Sequence, residues 1–291
     1  MGVEAKRDQV AIARSAARHG LSAPALQRSH GQIRLTVKSE NGVSRLGRLS
    51  QSGSARLLFP RSLSAAVEAV IVNTSGGLAG GDRFDVAADI ADDARLVLTT
   101  QAAEKVYRSL DAAAETATRL TLGARSRLHW LPQEAILFDA ARLNRRLDVA
   151  MAADAELLVA ESVVFGRLAR GEAMQSGHFA DRWRVRRDGR LVFAEQALFG
   201  GDVAQHLTRA AVAGGGTAMC CALLVAPDAE ARLERAREVM QAVAGREGGV
   251  SAWNGMLALR LVAAAGQILR ERLRALLAAI RGLDVPAVWQ F

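Results

Sequence analysis

The sequence predicts a mainly β chain, a stacked, β-helix-like body closed by a C-terminal β-α-β-β-α block. Three observations carry this reading. Apolar and polar residues alternate with period 2 from Ile33 onward, in short runs. A weak internal repeat places Leu96, Leu128, Leu157 and Leu191 at intervals of 32, 29 and 34 residues, the range in which successive units cover each other's apolar faces. Beyond residue 212 two stretches switch to the 3.6-residue period of amphipathic helices.

The elements follow in order. Residues 1–27 are rich in Ala, Arg and Ser without periodicity and read as a mobile tail. Residues 28–212 form the β-rich body, and 213–291 an α/β part packed on it as one compact unit. In the body Ile33, Leu35 and Val37 alternate with Arg34, Thr36 and Lys38, and Glu40-Asn41-Gly42 marks a turn. Further β-like runs cover 56–59, 67–72, 95–99 and 116–122. Each repeat leucine lies between a small or acidic turn and a polar residue. Stacking would therefore bring Gln101, Glu134, Glu161 and Glu195 into one row. In the C-terminal part 218–226 reads as a buried strand, and Asp228 as the N-cap of a helix carrying Leu233, Ala236, Met240 and Val243 on one face. Leu257, Leu259 and Leu261 alternate in a strand. A second helix spans 266–281 with Leu269, Leu273, Leu276 and Ile280 inward, and Gly282 stops it.

Composition bounds the function. Half of the 291 residues are apolar and 23% are charged, which excludes a wholly disordered chain. Only 13 residues are aromatic, so the core must be built from Ala, Leu and Val. The net charge is +8, almost all of the basic side chains being Arg. They are scattered among carboxylates rather than gathered in a patch with stacking aromatics, which speaks against nucleic acid. Cys220 and Cys221 are the only cysteines and are adjacent. They make no disulfide framework, and their strand buries them as small apolar residues. That usage fits a reducing cytosol. Near the N-terminus Glu4, Lys6, Arg7 and Asp8 interrupt any apolar run, so no secretory signal is expected. The uncharged stretch 210–227 contains a Gly run and ends in Pro; its apolar part is too short to span a bilayer.

The five histidines are well separated, and no HExxH, CxxC or GxSxG is present. Gly76-Gly77-Leu78-Ala79-Gly80-Gly81-Asp82 fits neither a P-loop nor GxGxxG. Its paired glycines suit positive φ or close backbone approach, and a strand-to-strand reversal is expected there. Asp82 at its mouth either caps the turn or faces a partner or ion. The segment 99–109 is dense in polar groups, with Gln101 and Glu104, the latter within reach of Arg108. Pro132 interrupts pairing and leaves Gln133, Glu134 and Asp139 on an irregular connection.

The blocks NTSGGLAGGD (73–82), LTTQAAEKVYRS (98–109), LHWLPQEAILFDAARL (128–143), LLVAESVVFGRLARGE (157–172) and FADRWRVRRDGRLVFAE (179–195) occur in this order. Together they resemble the signature blocks of the UreD (UreH) family of urease accessory proteins, from about Gln27 to the C-terminus. The end keeps that family's Pro286 and Trp289 but has Ala287 where Arg is usual. The resemblance implies a β-rich, non-enzymatic, cytoplasmic nickel-insertion chaperone with two C-terminal helices. It implies binding to apo-urease on one side and UreF on the other, with the GTPase UreG docked through UreF, and no role for nucleic acid or membrane. No cofactor is held permanently; Ni2+ is in transit through an internal passage lined by carboxylates. By motif position these are Asp82, Glu161 and Glu195, with Gln101, Glu104, Glu134 and Asp139 as secondary candidates. Spaced oxygen ligands offer weak successive stops, whereas several His or Cys would hold nickel too long. The competing arrangement pairs Glu161 and Glu195 with arginines such as Arg167 or Arg184. The competing function is a stacked-β carbohydrate-active enzyme, against which the few aromatics speak.

Overall fold

The computed structural model describes residues 27–61 and 65–290. Almost all of the tail expected over 1–27 lies outside the described residues. Strand β1 (His30–Glu40) pairs antiparallel with β2 (Val43–Ser52) across Asn41-Gly42. Both turn residues have positive φ, 51° and 77°, the two-residue turn whose twist suits a hairpin. β3 (Ala55–Leu58) pairs with β4 (Val67–Asn73), and the chain then winds into a stack of about four coils.

One coil is β5 (Arg83–Ile90), β6 (Arg95–Thr100) and β7 (Glu104–Val106), and the next is β8 (Ala114–Leu122), β9 (Arg127–Leu131) and β10 (Ala135–Leu137). In the third, β11 (Arg142–Met151) is followed by β12 (Glu156–Arg167), which serves two faces. Its first half lies parallel beside β9, and its Val163–Phe165 segment lies beside β10. A short β13 (Glu172–Ala173) folds back on β12. β14 (Ser176–Arg187) joins β11, and β15 (Arg190–Asp202) returns antiparallel along it. A short helix α1 (Val203–Thr208) leads to the C-terminal block: β16 (Ala218–Val225), α2 (Leu233–Val243), β17 (Gly248–Trp253), β18 (Met256–Ala263) and α3 (Gly266–Arg281).

The strands make two facing sheets. One is seven-stranded, ordered β15-β14-β11-β8-β5-β1-β2; the other runs β17-β18-β16-β12-β9-β6-β4-β3, with β7, β10 and β13 attached at its side. The main core fills the space between them. A second core, including Leu131, Leu158, Leu259, Leu273 and Leu277, lies between the outer face of the β16-bearing sheet and α2 and α3. Each such leucine contributes roughly 1.5–3 kcal/mol by leaving water.

The repeat is real over three of its four members. Leu96 lies directly beside Leu128, and Leu128 beside Leu157, all within 1% of full burial. Leu191 does not join them. It sits in the antiparallel strand β15 of the other sheet and is 51% exposed. The expected polar row therefore does not form. Gln101 lies at the β6–β7 corner, Glu134 turns outward to Arg270 of α3, and Glu195 belongs to the opposite sheet.

The glycine cluster makes a corner rather than a reversal, because β4 and β5 belong to different sheets. Gly77 has φ 151°, and a Cβ there would lie 2.7 Å from the Lys105 carbonyl oxygen. At Gly80 a Cβ would come within 2.4 Å of the Ala112 oxygen. Close stacking of coils demands glycine at both.

The C-terminal block follows its expected order, and Gly282 ends α3 in the left-handed region at φ 66°. Asp228 holds the N-cap position of a 3-10 turn rather than of the helix, and its side chain makes no capping hydrogen bond. This turn, over 229–232, precedes α2, and the Asp228 carboxylate grips Arg232 instead. Beneath the end of α3 the buried His129 accepts a hydrogen bond from Arg281 Nε at 3.1 Å and lies 3.4 Å from Glu156. Burial pushes its pKa down, so it is a neutral packing residue. Trp289 anchors the chain end, its indole N–H donating to Thr99 Oγ1 and to the Leu131 carbonyl, each at 3.1 Å. No described helix is long and apolar enough to cross a membrane.

Candidate functional site

Between the two sheets, near the β4–β5 and β6–β7 corners, lies a cavity of about 240 Å³. At roughly 30 Å³ per molecule in the liquid, that is room for several waters. Its walls are apolar, from Ile71, Leu78, Phe84 and Trp130. Oxygen-bearing side chains stand at different depths. Gln101 is exposed at the rim, Glu104 is partly buried behind it, and Gln133 and Glu161 are buried.

Strand alternation explains the deepest group. In β12 Val159, Glu161 and Val163 point inward, so a carboxylate occupies a core position. Two elements of the facing sheet meet it. Arg145 shares its face of β11 with Leu143 and Leu147, and Asp181 shares its face of β14 with Phe179 and Trp183. Arg145 Nε is 3.1 Å from Glu161 Oε2, and its terminal nitrogen donates to Asp181 Oδ2 at 2.7 Å. Trp130 Nε1 donates to Glu161 Oε1 at 2.7 Å. One guanidinium thus serves two buried acids. Burial pushes the Glu161 carboxyl up, Arg145 pulls it down, and Asp181 adds to the rise. Glu161 Oε2, Asp181 Oδ1 and Trp183 Nε1 are buried without an aligned hydrogen bond.

The polar track continues past the acid pair. Glu161 lies across from Cys221 of β16, and Cys221 across from Arg260 of β18. Arg260 is ion-paired with Glu195 of β15, bridging the two sheets near their β15–β18 edge. Both cysteines are free, and burial pushes the Cys220 thiol up to about 12.

The structure thus brings Gln101, Glu104 and Glu161 to one cavity, with Glu195 farther along the track. Asp82 is elsewhere. One of its oxygens accepts the Ser29 N–H and the other the Ala79 N–H, both at 2.8 Å, so it caps the glycine corner. Glu134 is paired with Arg270, and Asp139 accepts the backbone N–H groups of Gln175 and Ser176. Glu161 and Glu195 do pair with arginines, but with Arg145 and Arg260. Arg167 binds Glu172 instead, and Arg184 donates to the backbone oxygens of Trp183 and Glu195. Nor does Glu104 meet Arg108; its carboxylate takes the Asn73 amide at 3.2 Å. Among the described residues no three of His, Cys, Asp and Glu are grouped as a metal site.

Comparison with known proteins decides the family. The chain matches the family described as "UreD urease accessory protein" over residues 29–290. The chain belongs to the UreD family. A Bradyrhizobium diazoefficiens protein named urease accessory protein UreD is 51% identical over 262 residues, covering 90% of this chain and 94% of its own. The UreD of Methylobacterium sp. strain 4-46 is 48% identical over 272 residues, covering 92% and 96%. That of Rhodopseudomonas palustris strain CGA009 is 46% identical over 265 residues, covering 91% and 94%. This UreD-family chain is therefore a urease accessory protein, and its cavity is the candidate site for that role.

Glu104 yields a stability test. Burial pushes its carboxyl up to about 7 against the Asn73 bond. The folded value lies above the unfolded one, so the folded chain holds the extra proton. That advantage is complete below the unfolded value and is lost as pH rises through 7. Glu104→Gln keeps an acceptor for Asn73 and removes the titration. Urea unfolding should find it more stable than wild type by roughly 3 kcal/mol at pH 8 and unchanged near pH 4.

Proposed function

We propose that this chain is a nickel-insertion chaperone without catalytic activity of its own. It binds apo-urease and UreF, receives Ni2+ from UreG docked through UreF, and passes the ion through its interior toward the urease active site. The observation that carries this reading is the cavity whose donors are amide and carboxylate oxygens set at increasing depth, from Gln101 and Glu104 to Glu161. Oxygen ligands in such a series hold a divalent ion weakly enough to release it, as conduction requires. Beyond Glu161 the proposed route follows the track by Asp181 and Cys221 to Glu195 at the sheet edge. Asp82, its two oxygens occupied by backbone N–H groups, is assigned to the fold rather than to the route. Cytoplasmic work follows from the partners proposed.

The test is urease purified from cells lacking this chain. It should contain a few per cent of the normal nickel and show correspondingly little activity. Urease with its full nickel complement would end the proposal.

A further inference from the structure

We propose that Arg145 is a tethered cation occupying the position a divalent metal takes between Glu161 and Asp181, so that ion and guanidinium exchange places. The inference rests on the delivery reading above and names the group that regulates the inner stop.

Three observations support it. Charge is the first. Two carboxylates face one guanidinium, while a divalent ion would match both. The second is the incomplete fit. Arg145 makes one aligned bond, to Asp181, and only a close unaligned approach to Glu161. Neither Glu161 Oε2 nor Asp181 Oδ1 has an aligned hydrogen bond, although Glu161 is 4% and Asp181 8% exposed. The fully buried indole N–H of Trp183, on the same face of β14 as Asp181, reaches the Glu161 carboxylate but makes no aligned bond to it. A small cation that takes oxygens from both acids, with water completing its shell, would use what the planar fork leaves over. The third is room to move. Arg145 lines the cavity and rests against Phe179, with Cζ 5.3 Å from the ring centre. Its head can turn into the cavity and leave the acids to the ion.

The experiment uses the full chain and NiCl2 alone, followed by equilibrium dialysis and by thermal melts. Arg145→Met should bind one more Ni2+ per chain than wild type, at least tenfold more tightly than any wild-type uptake. The gained ion should vanish in Arg145→Met/Asp181→Asn, which balances the remaining charge differently and removes a ligand. Nickel should raise the melting temperature of Arg145→Met and leave that of the double variant unchanged. Should Arg145→Met be recovered unfolded, nickel must restore its folded circular dichroism. No gained ion in a folded variant, or no restoration of an unfolded one, overturns the proposal. These readouts do not involve urease, so a failed exchange leaves delivery standing. Nickel-replete urease from the deletion strain would overturn delivery without touching the dialysis result.

Discussion

Urease matured beside a Glu161→Gln chain is expected to carry less than a third of its normal nickel, while the chain still co-purifies with urease and UreF. Glutamine has nearly the shape of glutamate, so its carbonyl oxygen can keep the Trp130 indole bond made at 2.7 Å. Arg145 retains Asp181 at 2.7 Å, leaving one acid and one base in the interior. The fold therefore loses little, about 1 kcal/mol for one weakened hydrogen bond. What disappears is the negative charge that makes the floor of the cavity attractive to a cation. Nickel per urease active site, measured by mass spectrometry of the purified enzyme, separates the possibilities. Loss of co-purification would make Glu161 structural. Normal nickel with normal binding would remove it from the route.

The second large effect is on stability. Asp82→Ala should cost about 3–4 kcal/mol, because two hydrogen bonds from backbone N–H groups to a buried carboxylate are lost together. Those bonds tie Ser29, just before β1, to Ala79 in the glycine corner, so the loss loosens both the first strand and the coil. For a chain of this size that is a fall in melting temperature of roughly 8–12 °C. Asp82→Asn retains one acceptor and should lose about half as much. Nickel delivered per folded chain should be unchanged in both. An unchanged melting temperature with lost delivery would show that Asp82 meets the ion after all.

Much of the fold was legible because its cause is local. Leu96, Leu128 and Leu157 mark successive coils since each sits at the same place in a strand that must stack on the last. Helix α3 was legible to its ends because its apolar stripe and Gly282 are sequence-local signals. Leu191 misled because a turn–Leu–acid pattern does not say whether a strand continues the stack or folds back on it. Asp82 and Glu161 were legible as residues of interest, but the sequence left open what they face. The pairing of Arg145 with Asp181 was missed although a signal existed. In L-N-R-R-L and F-A-D-R-W, a charge takes the inward step of an alternating strand, and such a charge needs a partner across the core. Which acids it meets depends on the neighbouring strand and the facing sheet, contacts 36 residues away for Arg145 and Asp181.

The double service of β12 has a consequence for how the molecule can be divided. It takes β9 on one side and β16 on the other, and Leu158, Ala160 and Val164 on its outer face are covered by the C-terminal block. A fragment ending near residue 212 would turn this all-but-buried strand into a raw, greasy margin ready to zip onto any neighbour. Division at that seam would breed aggregates rather than two halves, and the acid at its centre would be bared to the crowd.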